Sequence, residues 1–392
     1  MKKTPVYCDY NAGAPIRAEA AVAMSRALAA GGNPSSVHST GRRARALIED
    51  AREKLAGMLG ASAENVVFTS GATEAVHLVL DAFESAARAG LSLVDEEGYA
   101  IEHPAPSLIA SGVEHDAVFE HGRHREMLRA PVQPDGLIDL EVLEAMVREA
   151  PKPTLVAVQL ANNETGVIQP IARVAALCRE HGALLLVDAA QAFGRIPVDI
   201  GDLDASYLVV SSHKLGGPPG AGALVLAPGA PFATTRFGGG QERGRRPGTE
   251  NMPAVVGFAV AAEWALRDLE ADAARLAAMR DRFEAGLPRD AAVFGAGAKR
   301  LPNTSNFALP GIAAETAVIA MDLESVALSS GAACSSGKVR SSRVLAAMGV
   351  APDLAKGALR VSFGHESKDC DVDEVLHALA KVTARRAQGA AA

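Results

Sequence analysis

The chain has 392 residues, 48% hydrophobic and 22% charged, an ordinary globular balance that allows two or three domains and a core able to bury a cofactor. A formal net charge of −7 argues against a nucleic-acid binder, which needs a basic surface. No apolar run reaches the ~18 residues that span a bilayer, and the start of the chain lacks an apolar signal core, so a soluble, cytoplasmic protein is expected.

In chain order, the basic run Arg42-Arg43-Ala44-Arg45 reads as the solvated face of a helix. Val66-Val67-Phe68-Thr69 is the first strong strand, followed by the turn Ser70-Gly71-Ala72-Thr73 and a helix from Thr73. The stretch 95–106 reads as a charged surface insertion. Further apolar strands are expected at 108–110, 155–158, 184–187, 207–210 and 223–226, with helices at 140–150 and 171–181 between them. Buried strands alternating with helices predict an α/β fold with a large, mostly parallel sheet.

After about residue 255 the pattern changes. A long Ala-rich helical region covers 255–287, then a strand at 305–309, a helix at 315–323 and a strand at 359–363. This predicts a smaller α+β domain of residues 1–15 and 255–392, beside a larger cofactor-binding domain of residues 16–254. The Ala-rich tail at 385–392 is expected to fray.

In open α/β sheets, ligands bind beyond the carboxyl ends of the strands. Strand 66–69 ends in a turn whose free amides and Thr73 hydroxyl suit a phosphate, although any α/β protein has such turns. Strand 184–187 ends in Asp188, which either caps a helix or meets a cation, because a buried carboxylate needs one. Strand 207–210 ends in Ser211-Ser212-His213-Lys214. A lysine there is either solvated or, if buried, a nucleophilic amine. Ser211 and His213 are the right types to add phosphate donors. His115 follows strand 108–110 and is either an ordinary histidine or a ring that stacks on a flat cofactor. Arg360 alternates with apolar neighbours in its strand and is either a substrate-carboxylate anchor or an edge-strand solubility residue.

The four cysteines include no Cys-x-x-Cys pair, so neither a zinc ribbon nor a thioredoxin motif is present. Cys178 falls in a helix and reads as a small buried hydrophobe, whereas Cys8 and Cys370 suggest no role. Cys334 sits among small residues in Ser329-Ser330-Gly331-Ala332-Ala333-Cys334-Ser335-Ser336-Gly337, a segment suited to an exposed, mobile nucleophile.

Together the motifs resemble those of the cysteine desulfurases of nitrogen fixation and iron–sulfur cluster assembly, within the class V, fold-type I pyridoxal-phosphate enzymes. The most specific are Asn33-Pro34-Ser35-Ser36-Val37-His38, Thr69-Ser70-Gly71-Ala72-Thr73-Glu74, Asn162-Asn163-Glu164-Thr165-Gly166, Val187-Asp188-Ala189-Ala190-Gln191, Ser212-His213-Lys214, the stretch from Gly238 to Asn251, and the Cys334 segment. The resemblance implies that Lys214 binds pyridoxal 5'-phosphate covalently and acts as base. It implies that His115 stacks on the ring, Asp188 pairs with the ring nitrogen and Gln191 bonds the ring hydroxyl. Ala72, Thr73, Ser211 and His213 would hold the phosphate, joined in a homodimer by Thr249 of the other protomer. Asn163 and Arg360 would contact the substrate, with Asn163 also beside the cofactor. Cys334 would take sulfur from L-cysteine as a persulfide, leave L-alanine, and pass sulfur to a protein acceptor such as an iron–sulfur scaffold. A selenocysteine lyase, another class V enzyme or a non-catalytic partner-binding paralogue are the alternatives. The chain departs from the pattern at Ala12-Gly13-Ala14-Pro15, where many relatives carry Ala-Thr-Thr-Pro, and it lacks the apolar C-terminal tail with which some dock a scaffold.

Overall fold

The computed structural model describes residues 5–90, 106–121, 127–331 and 342–389. Cys334, most of the 95–106 insertion and the last residues of the tail lie outside the described residues. The strands are β1 (Val6–Tyr7), β2 (Val66–Thr69), β3 (Ser107–Ser111), β4 (Met127–Ala130), β5 (Thr154–Gln159), β6 (Leu184–Asp188), β7 (Tyr207–Ser211), β8 (Gly222–Leu226), β9 (Ala292–Phe294), β10 (Thr304–Ala308), β11 (Val326–Ala327), β12 (Ser329–Ser330) and β13 (Ala358–Ser362). The helices are α1 (Ala18–Ala30), α2 (Ser39–Met58), α3 (Ala72–Gly90), α4 (Asp116–His121), α5 (Leu140–Glu149), α6 (Ile171–Glu180), α7 (Met252–Arg267), α8 (Leu269–Ala285), α9 (Ala314–Leu323), α10 (Arg343–Ala347), α11 (Pro352–Ala355) and α12 (Asp369–Gly389).

Among the described residues, seven strands form one sheet in the order β2-β8-β7-β6-β5-β3-β4. Neighbours from β7 through β4 run parallel, while β8 is antiparallel to both β7 and β2. Strands β2, β5, β7 and β8 are buried along their whole length, which explains their unbroken apolar runs. The arginines of α2 at 42, 43 and 45 are exposed while Ala44, Ile48 and Leu55 face inward, as a solvated basic face requires. In α6, Cys178 is buried with Val174. Cys8 is buried and Cys370 exposed.

A second sheet has the order β12-β13-β10-β9 and its own apolar cluster, with Phe283, Phe307 and Phe363 packed edge to face. The long helical region expected over 255–287 consists of two helices that part at Asp268. Each serves a different core. Phe258 and Ala262 of α7 join the large-sheet cluster, and Met279 and Phe283 of α8 join the other. A straight helix cannot turn apolar faces to both, so the chain breaks where it changes allegiance. Among the described residues, no helix is long and apolar enough to cross a membrane.

Candidate active site

Where the parallel strands end, the residues that follow them enclose a cavity of about 470 Å³. At one side α3 begins with Ala72, just after β2 ends at Thr69. The first amides of a helix have no acceptor within it, so Ala72 and Thr73 bring N–H groups and a partial positive charge to the cavity wall. Glu74 accepts the Ser70 amide at 2.6 Å and pairs with Arg246 at 3.2 Å. Burial opposes ionisation of its carboxyl, but these partners win and hold it down to about 2. The turn lies close against the sheet because β8 opens with glycine. A Cβ at Gly222 would stand 2.7 Å from the Gly71 backbone.

The end of β7 supplies Ser211, whose Oγ lies 3.3 Å from His213 Nδ1. Burial, with the charges of Lys214 and Arg195, lowers His213 to about 4, so its ring is neutral at pH 7. Lys214 follows, and its Nζ donates to the carbonyls of Asn11 at 2.6 Å and Ala12 at 3.1 Å.

Asp188 closes β6 inside the same cavity. Its Oδ1 accepts the Ala190 amide at 2.8 Å, so it does cap the turn. Burial raises its carboxyl above the ordinary carboxylate range, against the pull of that bond and of His115 and Lys214. His115 Nδ1 accepts the Ala117 amide at 3.0 Å, which leaves Nε2 to carry the proton of a neutral ring. Burial lowers the His115 pKa, in keeping with that form.

Gln191 sits beyond Asp188, and its Nε2 donates to the Asn11 carbonyl at 2.9 Å. Its Oε1 accepts from Arg195. Arg360 reaches in from the second sheet, where β13 lies between β12 and β10. That interior position and its burial rule out a solubility role. Its Nη1 donates to the Asn163 carbonyl at 2.9 Å and its Nη2 to Asp9 at 2.7 Å. Its Nε is buried and has no acceptor among the described residues. Glu164 is also buried, bonded to Ser342 at 2.5 Å, and burial pushes its carboxyl up to about 7 against Ser342 and Arg360.

The structure thus gathers Ala72, Thr73, His115, Asn163, Asp188, Gln191, Ser211, His213, Lys214 and Arg360 around one cavity. Thr249 is not part of that wall; it is exposed beyond the turn Gln241–Gly244. Sequence reasoning missed Asn11, Asp9 and Arg195. The acceptors in two of these cases are main-chain carbonyls, which carry no sequence signal. Asp9 and Asn11 had a signal of another kind, since the resemblance to the cysteine desulfurases begins at Asp9-Tyr10-Asn11-Ala12.

The donor set fits pyridoxal phosphate. A buried carboxylate with no cation bonded to it among the described residues suits a protonated ring nitrogen. Helix amides beside Ser211 and His213 suit a phosphate, and a lysine amine in the same cavity suits an aldehyde.

A profile described as aminotransferase class-V matches residues 6–375. An IscS-like cysteine desulfurase of Mycobacterium tuberculosis is 38% identical, covering 98% of this chain and 98% of its own. A selenocysteine lyase of Bos taurus is 38% identical, covering 97% of this chain and 93% of its own. The solved structure of a NifS-like protein from Rickettsia africae superposes with a TM-score of 0.86 at 28% identity, over 97% of this chain and 99% of that one.

Proposed function

The chain belongs to the aminotransferase class-V family, and from that premise we propose that it is a cysteine desulfurase, which binds pyridoxal phosphate and converts L-cysteine to L-alanine with transfer of the sulfur. The observation that carries this reading is Asp188, a buried carboxylate kept in one cavity with an amine and a helix N-terminus.

When bound, pyridoxal phosphate supplies an electron-accepting ring that stabilises negative charge at a substrate Cα. Asp188 would hold a proton at the ring nitrogen. Gln191 would donate to the ring oxygen, and His115 would stack on the ring. Ala72, Thr73, Ser211 and His213 would hold the phosphate, and Lys214 would be the covalent anchor. Arg360 receives the substrate carboxylate, because its Nε–H still needs an acceptor, and the neighbouring Asn163 flanks it. Lys214 Nζ, whose amine lies in the same cavity, would take up the substrate Cα proton. Cys334 would then take the sulfur: its thiolate attacks the substrate sulfur and an S–S bond forms, while the C–S bond breaks with its electron pair left on Cβ, which takes a proton and becomes the methyl group of alanine. The persulfide serves a protein acceptor such as an iron–sulfur scaffold.

We also assign residues 16–254 to a larger domain and 1–15 with 255–392 to a smaller one. Separate apolar clusters under the two sheets support two domains, but α7 contributes to the cluster of the larger one, so they favour a boundary near Asp268 over one at 254. A homodimer completes the site if Thr249, exposed here, reaches the partner's phosphate. Sedimentation at micromolar concentration should give twice the chain mass, and a monomer would refute it.

Borohydride reduction of the protein loaded with pyridoxal phosphate, followed by peptide mapping, should place the label on Lys214. A label elsewhere, or none, overturns the reading. Cys334→Ala should stay yellow and release no sulfide from cysteine; wild-type release would remove Cys334 from the mechanism. The bovine relative favours one second reading, a selenocysteine lyase. Turnover on selenocysteine with none on cysteine would decide for it.

A further inference from the structure

Arg195 is a buried guanidinium with no carboxylate partner among the described residues. All its recorded acceptors are neutral oxygens. Nη1 donates to the Gln191 carbonyl at 3.0 Å and to Gln191 Oε1; Nη2 donates to the Tyr10 carbonyl at 3.1 Å and the Lys214 carbonyl at 3.2 Å. Burial, with the charge of Arg360, lowers its pKa to about 9. A desolvated cation without a counter-charge is expensive to keep, so its geometry needs a reason.

That reason lies in what a guanidinium cannot do. It only donates, so the Gln191 atom it touches has to be the amide oxygen. The Asn11 carbonyl only accepts, and it faces the Gln191 amide nitrogen. Two independent constraints therefore fix the same orientation of the amide, and Gln191, which lines the cavity, can offer its remaining polar hydrogen there only as a donor. From the same guanidinium, bonds run to the backbone of Tyr10 and of Lys214, so the amine-bearing turn and the chain entering the cavity share one anchor.

We propose that Arg195 is a positioning residue that locks Gln191 as a hydrogen-bond donor to an anionic ring oxygen of the ligand and holds the Lys214 turn in register with it. This rests on the pyridoxal-phosphate reading of the cavity. With Gln191 so fixed, the ring oxygen is favoured in its ionised form. Without Arg195 the Asn11 carbonyl is the one remaining constraint on the amide, which then turns more readily to present its own oxygen, and that oxygen repels the charge.

The test uses the full-length protein loaded with pyridoxal phosphate, and follows the cofactor dissociation constant and the pH midpoint of its visible absorbance change. Arg195→Met should weaken cofactor binding about tenfold, as expected for one lost charge-assisted hydrogen bond, and move the midpoint by roughly half a pH unit or more. Arg195→Lys, which also only donates, should keep the wild-type midpoint. In a Gln191→Leu background, adding Arg195→Met should cost less than about threefold, because most of the effect passes through Gln191. Wild-type affinity and midpoint in Arg195→Met overturn the proposal, and so does the full tenfold loss in the Gln191→Leu background. If Arg195→Met fails to fold, Arg195→Lys decides: a midpoint moved as far as in Gln191→Leu overturns the proposal. A wild-type protein that takes up no pyridoxal phosphate would sink the cavity reading instead, a result distinct from all of these.

Discussion

The two ends of the cavity are built differently. At the end formed by the large sheet, the side chains that line the cavity include several already held by partners: Ser211 with His213, His115 with the Ala117 amide, Gln191 with Asn11 and Arg195. At the end formed by the second sheet, the Arg360 Nε is buried with no partner among the described residues, and so are both amide atoms of Asn306, which stands outside the cavity wall. Asn306 lies directly opposite Arg360 in the register of β10 and β13. The first end is organised in advance and suits a resident group. The second keeps donors waiting and suits a molecule that comes and goes.

Changes at the first end should strike the resident group, and the largest effect belongs there. Lys214→Ala should abolish covalent attachment of the cofactor, read as loss of the borohydride-trapped mass, and lower sulfide release by about a thousandfold or more. If turnover survives, the amine is not the base. Changes at the second end should spare the cofactor. Arg360→Gln should raise the KM for cysteine by roughly ten- to a hundredfold while the cofactor dissociation constant stays put. Loss of cofactor from this variant would erase the distinction between the two ends.

The smallest effect on activity is expected at Glu164, which borders the second end. It faces Ser342, Arg360, Arg343 and Asp116, and burial raises it from 4.5 to about 7 in the fold. A raised carboxyl means that the folded state binds the proton more tightly. Its contribution is therefore fully present below pH 4.5 and is lost as pH rises to about 7. Glu164→Gln should remove that slope from denaturant melts taken across this range, a change of at most roughly 3 kcal/mol. Parallel curves for the two proteins would mean that Glu164 is ionised throughout.

Much of this was legible in the sequence, and the reason is physical. Strands buried on both faces must be apolar without interruption, so β2, β5, β6, β7 and β8 announced themselves, and the residues just beyond them had to be the cavity wall. The edge strand β4 was missed because Met127-Leu128-Arg129-Ala130 exposes its middle residues and breaks the run. The two-residue strands β11 and β12 are too short for any period to show. Arg195 carried no signal in the sequence. What sets it apart is the main-chain carbonyls of Tyr10 and Lys214, added to that of nearby Gln191, and only the fold brings these to it.

Asn11 ties these parts to one another. Its amide nitrogen bonds the Asn163 carbonyl at 3.2 Å and Thr304 of the second sheet at 3.0 Å, while its carbonyl receives Lys214 and Gln191. An amine occupied elsewhere no longer donates to that carbonyl. Each departure of Lys214 from Asn11 therefore slackens a strut between the two sheets, and the seam of the molecule feels the state of a single nitrogen atom.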